Sequence, residues 1–439
     1  MVSGTGVTKK INLHQSSRSR ALLFVAVIAI LAVAFIFADF DWYVSTYPAH
    51  TLSADETEAR AAAGNPARRL AYSVIGLMGL ILLAQSKTKH SDYLKLPLIL
   101  IGTYFLFCFA SVIWSDVPGL TVRRLLILGF CLLGIVGMIQ RFSGEDLIQI
   151  ALFIALAIVA TGLLAEITNA TFHPFAGDYR FAGTLHPNTQ GGICAILVIS
   201  AFSGLKRPDR GKFFYLAVFM AGLFFLLLTK SRTALLGCLF AIYVATLLSG
   251  SPGLRKILSV GLPFFFCLVA VYILLTGADI GGGLSQLLHL GRAVEDAELG
   301  SFSGRVPLWA GLMENVFERP FLGYGYNAFW TPDRIFVISS EFDWTVPNAH
   351  SVAIDVILNA GLLGGACYLF GYLLATLSVA RRCIAIGTPA TCFATAIAVF
   401  AVISACFESS FSEPKNFETF FALAAVGVIL ARPESTFDK

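Results

Sequence analysis

The stretch Thr229-Lys230-Ser231-Arg232-Thr233 joins two apolar runs by so tight a hairpin that two cations are forced together. Like charges at such a turn repel unless an anion lies between them. The pair offers two means of holding one, since arginine's planar fork takes phosphate oxygens bidentately and lysine supplies a point charge. Cations recur in other short connections. Arg123-Arg124 follows Trp114-Ser115-Asp116-Val117-Pro118, Arg180 heads the run Arg180-Phe181-Ala182-Gly183-Thr184-Leu185-His186-Pro187-Asn188, and Arg305 follows Ser303-Gly304. Adjacent arginines cannot point the same way on a helix, so one of Arg123 and Arg124 is expected to reach a site while the other anchors to headgroups. Together, Lys230, Arg232, Arg180, Arg305 and the Arg123-Arg124 pair read as a shared anion site.

Asn348-Ala349-His350 stands where these cations can converge, and a histidine accepts a hydroxyl proton near neutral pH. His186 reads instead as a loop histidine held by hydrogen bonds, with Asn188 the cap of the helix that follows, a start that itself favours anions. Ser303 is the expected cap of a helix with Arg305 in its first turn and Trp309, Leu312, Met313, Val316 and Phe317 on one stripe. Downstream, Gly323-Tyr324-Gly325-Tyr326-Asn327 and the aromatics Phe329, Trp330, Phe342 and Trp344 lie among Asp333, Arg334, Glu341 and Asp343. Such rings suit sugars, and equally an interfacial aromatic belt. No strand precedes the glycines, so they are a weak signal for a nucleotide.

The elements that must position these residues are membrane helices. Of 439 residues 13% are charged and 57% hydrophobic, against about a quarter charged in soluble domains, and the mean hydropathy is +0.77. A formal charge of +4, spread over short loops, gives no basic face for nucleic acid. Eight of the nine cysteines lie in apolar runs, and no disulfide framework or metal spacing is visible. Twelve segments near 21–38, 70–84, 96–113, 125–140, 147–166, 190–205, 213–229, 232–249, 257–276, 352–380, 389–407 and 416–431 suit spanning. The expected fold is therefore all-α and polytopic. Its parts are a cytoplasmic tail 1–20, nine helices over 21–276, a large loop 277–349 on the outer, periplasmic side, three helices over 350–431, and a cytoplasmic tail 432–439. The first helix lacks a cleavage site and reads as retained. The tenth is overlong and broken by Gly361, Gly364 and Gly365, which predicts a re-entrant or interfacial piece from His350 before the true span.

Lys and Arg collect on the cytoplasmic side. With Lys9, Lys10, Arg18 and Arg20 inside, the even loops agree, through Lys87, Lys89 and Lys95, Arg141, Lys206, Arg207, Arg210 and Lys212, Arg255 and Lys256, and Arg381 and Arg382. The exceptions are the outer cations named above, which require either the anion site, a topology shifted by one span, or snorkelling to lipid phosphates. Ion-coupled carriers keep ionisable residues at mid-membrane. Here Asp355 alone is counted within a candidate span, near its outer end, which argues for an enzyme at the outer interface and against a transporter.

In their order along the chain, these motifs resemble the bacterial O-antigen ligase and polysaccharide polymerase family of multi-span glycosyltransferases, over about Trp114 to Gly365. The resemblance implies a donor glycan on undecaprenyl pyrophosphate, transferred at the periplasmic face of the inner membrane to an acceptor hydroxyl. It implies no cofactor and no required metal. Its expected partners are the lipid-linked oligosaccharide, membrane lipid, a flippase and chain-length or export proteins, with no nucleic acid. Carried over, Arg232 and Arg180 match positions associated with donor phosphates, Arg123 or Arg124 supports them, Arg305 matches the loop arginine, and His350 the histidine that activates the acceptor hydroxyl or stabilises its developing charge. Lys230 is added on its spacing alone. The Trp-Ser…Pro…Arg-Arg segment looks more like the exopolysaccharide polymerases than the ligases that load lipid A core. A transporter of lipid-linked sugars is the alternative of a different class.

Overall fold

Prolines set the helix starts. Pro66, Pro97, Pro118, Pro187 and Pro389 each occupy one of the first two helical positions, where no intrahelical donor is lost and φ is already suitable. Side-chain caps complete several of them: Asn65 accepts from Arg68 N, Thr388 from Thr391 N, and Ser143 forms a reciprocal box with Asp146. The computed structural model describes residues 5–39, 65–86, 95–177, 179–208, 211–251, 253, 255, 257, 259, 305–342, 344 and 346–431.

Among them the chain forms α1 (Thr5–Asp39), α2 (Pro66–Ala84), α3 (Leu96–Ala110), α4 (Pro118–Arg141), α5 (Gly144–Thr168), α6 (Pro187–Leu205), α7 (Lys212–Leu228) and α8 (Arg232–Ser249). There follow α9 (Arg305–Glu318), α10 (Pro332–Phe342), α11 (Val352–Ile386), α12 (Pro389–Ala405) and α13 (Phe417–Ala431). The fold is all-α and polytopic, as expected. Eight helices are long and apolar enough to cross a membrane, and α7, α12 and α13 are shorter apolar helices; these eleven coincide with eleven of the twelve expected spans. The ninth span, apart from residues 257 and 259, lies outside the described residues. So do 277–304 of the large loop with the expected cap Ser303, the tail 432–439, and Lys87, Lys89, Arg210, Lys256 and Asp343.

Helices α2 and α4 pack together, as do α3 with α11, α6 with α7, and α8 with α12. Helices α6, α12 and α13 are buried nearly all round, whereas Leu22, Leu70, Leu106, Phe213 and Leu236 on the outer helices expose large apolar surfaces. That inversion suits lipid as the solvent. At 1.5 Å per residue, α12 and α13 rise only about 26 and 22 Å against a hydrocarbon core of about 30 Å. The buried backbone of the turn between them, 406–416, must find its partners within the protein. It does: Tyr368 Oη donates to Phe411 O at 2.6 Å, Tyr72 Oη to Lys415 O at 3.1 Å, and Asn416 Nδ2 to Ser410 O at 2.9 Å.

The expected break in the tenth segment is present. Gly361 has φ 67° and ψ −175° inside α11, a region open in practice to glycine alone, and a Cβ there would collide with the backbone of Phe321. The break frees carbonyls that the large loop takes up. Tyr324 N donates to Leu358 O at 2.8 Å, Gly325 N to Asn359 O at 3.2 Å, and Leu362 N to Pro320 O at 2.7 Å.

Charge within the helices is more extensive than Asp355 alone. Glu166, Arg382 and Glu418 are also buried. All three lie within a turn or so of a helix end, in α5, α11 and α13, so the middle of the bundle is still free of charge among the described residues. Short ends tolerate such groups because neighbouring loops supply partners: Arg382, expected in a cytoplasmic loop, donates to Ile429 O.

Candidate active site

The turn between α12 and α13 carries a carboxylate on which several of the sequence motifs converge. Glu408 Oε1 accepts from Arg305 Nη2 at 2.7 Å and from Asn188 Nδ2 at 3.0 Å, and Glu408 Oε2 lies 3.4 Å from His350 Nδ1. Asn188 in turn accepts from Arg180 Nη2 at 2.9 Å, and Arg180 Nε donates to Thr229 O at 3.1 Å. Thus Arg180, Arg305 and His350, predicted from separate motifs, form one network, and the Arg180 loop is stitched to the turn that holds Lys230 and Arg232. Phe181 N donates to Leu228 O at 2.9 Å, which fixes that seam.

Burial alone would raise the Glu408 carboxyl above its ordinary 4.5. The hydrogen bond from His350 and the charge of Arg305 outweigh burial and hold it at about 2. The three side chains are only 14–17% exposed. With Nδ1 toward the carboxylate, His350 Nε2 is buried and has no hydrogen-bond partner among the described residues. An imidazole oriented through one nitrogen and unpaired at the other can receive a proton there.

The backbone around His350 explains the Asn348-Ala349-His350 motif. His350 adopts φ 49°, uncommon outside glycine and concentrated at functional sites. Asn348 Oδ1 supports it by accepting from His350 N at 3.0 Å, while Ala349 O accepts from Trp309 Nε1 at 2.9 Å. Asp355 ties the two halves of the network together. Its Oδ1 accepts from Ala349 N at 3.2 Å and Trp330 Nε1 at 3.0 Å, and its Oδ2 from the Ser409 hydroxyl. It therefore holds the residues next to His350 and next to Glu408 in register. Trp344 lies with its ring 5.2 Å from that of His350.

The other predicted residues fall around this centre. Arg232 is the first residue of α8 and is half-buried. Lys230 has φ 52° and its Nζ donates to Gly177 O, across to the Arg180 loop. Arg123 is exposed and Arg124 half-buried, dividing as adjacent helical residues must. Arg124 donates to Asn327 O and, at 3.1 Å, to Trp330 O, so its bonds go to the 323–330 turn and not to Glu408. Trp114 Nε1 donates to Leu322 O at 3.0 Å, and Asp116 pairs with Arg319 at 2.7 Å. This motif fastens the large loop to the start of α4. His186 is the cap of α6, its Nδ1 accepting from Asn188 N at 3.2 Å; Asn188, expected to cap, is free to bridge Arg180 and Glu408.

Sequence reasoning passed over Glu408, Glu413 and Glu166. Glu413 accepts from Asn327 Nδ2 and pairs with Lys415 at 2.7 Å. Glu166 Oε1 accepts from Ala182 N at 2.9 Å and Gly183 N at 2.7 Å, clamping the Arg180 loop. The available signal was charge complementarity: loops rich in unexplained cations share an end of the bundle with a short turn, 406–416, that has two acids. Among the described residues no three His, Cys, Asp or Glu side chains cluster as a metal ion would need.

Fold and site thus define a class, a helical membrane protein with a buried cation, carboxylate and histidine network at one end of its bundle. Residues 216–369 match the family model described as O-Antigen ligase, which bears out the resemblance drawn from the motifs. The chain is also 26% identical over 285 residues to the Exopolysaccharide production protein ExoQ of Rhizobium meliloti (strain 1021), across 60% of this chain and 61% of that protein. The match thus spans about three fifths of the relative's length.

Proposed function

We propose that this chain polymerises undecaprenyl-pyrophosphate-linked oligosaccharide repeats into exopolysaccharide at the periplasmic face of the inner membrane, as a glycosyltransferase that requires no metal. The observation that carries this reading is the Glu408 network, which leaves the buried His350 Nε2 unpaired among the described residues. His350 Nε2 takes the proton of an acceptor sugar hydroxyl, and that oxygen bonds to the anomeric carbon of the donor. The bond from that carbon to the pyrophosphate oxygen breaks, and the pyrophosphate leaves with the electron pair. Arg232, Arg180 and Lys230 offset the charge that grows on it, supported by Arg305, with Arg123 or Arg124 holding the carrier at the interface. Glu408 keeps the imidazole oriented during transfer.

Two observations bear on the acceptor. The family model carries the name of the ligases, and the curated relative that of exopolysaccharide production; the second matches more of the chain, and polymerisation follows it. Deleting the gene distinguishes the two. A single repeat accumulating on the lipid carrier is the expected outcome, whereas full-length polymer stranded on the carrier with bare lipopolysaccharide core establishes a ligase. Purified protein that forms no glycosidic bond from lipid-linked repeats in detergent would leave transport as the reading.

A further inference from the structure

The two segments that meet at the Asn188–Glu408 bond also border a half-open cavity. Residues 185–193 and 415–418, with Arg68 at the start of α2, surround a space of about 220 Å³ lined by Arg68, Leu185, Thr189, Ile193, Lys415, Asn416 and Glu418. It belongs to the same end of the bundle as His350, because Thr189 follows Asn188 in sequence and Lys415 and Asn416 share the turn that carries Glu408. None of its lining residues belongs to the catalytic network.

The chemistry of the lining selects the ligand. Two cations alone would suit a phosphate, but the buried Glu418 carboxylate faces the same space, and a second anion beside it would be repelled. Sugar hydroxyls are both donors and acceptors. They match a wall that supplies donors from Arg68 and Lys415, an acceptor carboxylate from Glu418, and both kinds from Thr189 and Asn416. Leu185 and Ile193 offer an apolar face against which the C–H side of a pyranose can pack. The wall is also held in shape. Arg68 Nε donates to Ala38 O at 2.7 Å, Tyr72 Oη to Lys415 O at 3.1 Å, and Asn416 Nδ2 to Ser410 O at 2.9 Å.

We infer that this cavity is a sugar-binding subsite that holds one residue of the oligosaccharide repeat beside the reacting centre, an inference that rests on the glycosyltransferase reading. Being built from the turn that carries Glu408 and the segment that carries Asn188, it couples occupation by the correct sugar to the geometry of the network. Recognition of the repeat would thereby be read at a distance from His350.

The test uses the full-length protein in detergent and, as probe, the free oligosaccharide repeat released from the strain's own polysaccharide. Saturation-transfer NMR should show the repeat bound to wild type and to His350→Ala, with the signal lost in Thr189→Trp, which fills the cavity, and weakened several-fold in the exposed-site variant Arg68→Gln. Thr189→Ser should retain it. With lipid-linked repeat as substrate, Arg68→Gln should raise KM several-fold with kcat less affected. No repeat bound to wild type, equal binding by Arg68→Gln and a folded Thr189→Trp, or displacement of the repeat by inorganic pyrophosphate would each overturn the assignment. Binding that is sensitive to these variants, without any polymer formed by wild type, would keep the sugar subsite and remove the polymerase reading.

Discussion

His350 and Glu408 divide the chemistry between one nitrogen held and one nitrogen open, and substitutions at the two should differ accordingly. His350→Ala removes the proton acceptor and should lower kcat roughly 10²- to 10⁴-fold, the usual contribution of a general base, with unchanged protein level in the membrane. Glu408→Gln retains the shape but not the charge. It should reduce kcat with little change in KM, since Glu408 acts through His350 and not on substrate, and single-turnover assays with lipid-linked repeat would separate the two constants. Arg232→Lys should also be impaired if its role is bidentate contact with phosphate, read as a rise in donor KM. The carboxyl of Glu408 also sets a pH dependence. It is more acidic in the folded chain than its ordinary 4.5, at about 2, so its stabilising contribution is complete above about pH 4.5 and is lost as pH falls toward 2. Thermal unfolding in detergent should show wild type weakening over that window and Glu408→Gln responding less. Of this site, His350, Arg180 and Arg305 were legible because each stands in a short polar motif between apolar runs. Glu408 was not, because sequence shows an excess of cations without showing that the chain supplies one of the anions.

At the scale of elements, the broken α11 is where sequence and structure meet most closely. Three glycines in an overlong apolar segment announced the interruption, since a run of that length needs no such residues to span. What the sequence did not reveal is its partner: the turn at 320–325 donates to Leu358 O and Asn359 O and accepts from Leu362 N, so the large loop is plugged into the gap in the helix. Such long-range backbone pairing leaves no trace in local spacing, just as the bonds of Arg124 to the 327–330 carbonyls leave none. Gly361→Ala should therefore be costly, by about 1–3 kcal/mol for the forced φ alone and more for the collision with Phe321. The expected result is a fall of several degrees in Tm and loss of activity without loss of membrane insertion, while Leu362→Ala, at an exposed neighbour, should change neither.

Among the described residues the ion pairs and the hydrogen bonds of charged side chains named here fall into two groups at opposite ends of the bundle. Arg20 with Asp146, Arg207 with Glu145, and Lys206 with Ser249 gather the ends of α5, α6 and α8. The Glu408 network, Asp116 with Arg319, and Arg124 with the 327–330 turn gather the other ends. This grouping of the loops matches the alternation that the positive charges imply. The loops that share an end are thus settled by geometry, while the compartment each end faces follows from charge bias alone. Cys406 converts that bias into a measurement. Among the described residues it is the exposed cysteine, at the start of the turn that carries Glu408, whereas Cys383 and Cys392 are buried at the opposite end. If the network faces the periplasm, a membrane-impermeant maleimide added to cells with a permeabilised outer membrane should label the protein through Cys406. The label should disappear in Cys406→Ser. Labelling that requires lysis of the inner membrane would invert the topology and place the proposed transfer on the cytoplasmic side, where a flipped lipid-linked donor is not available.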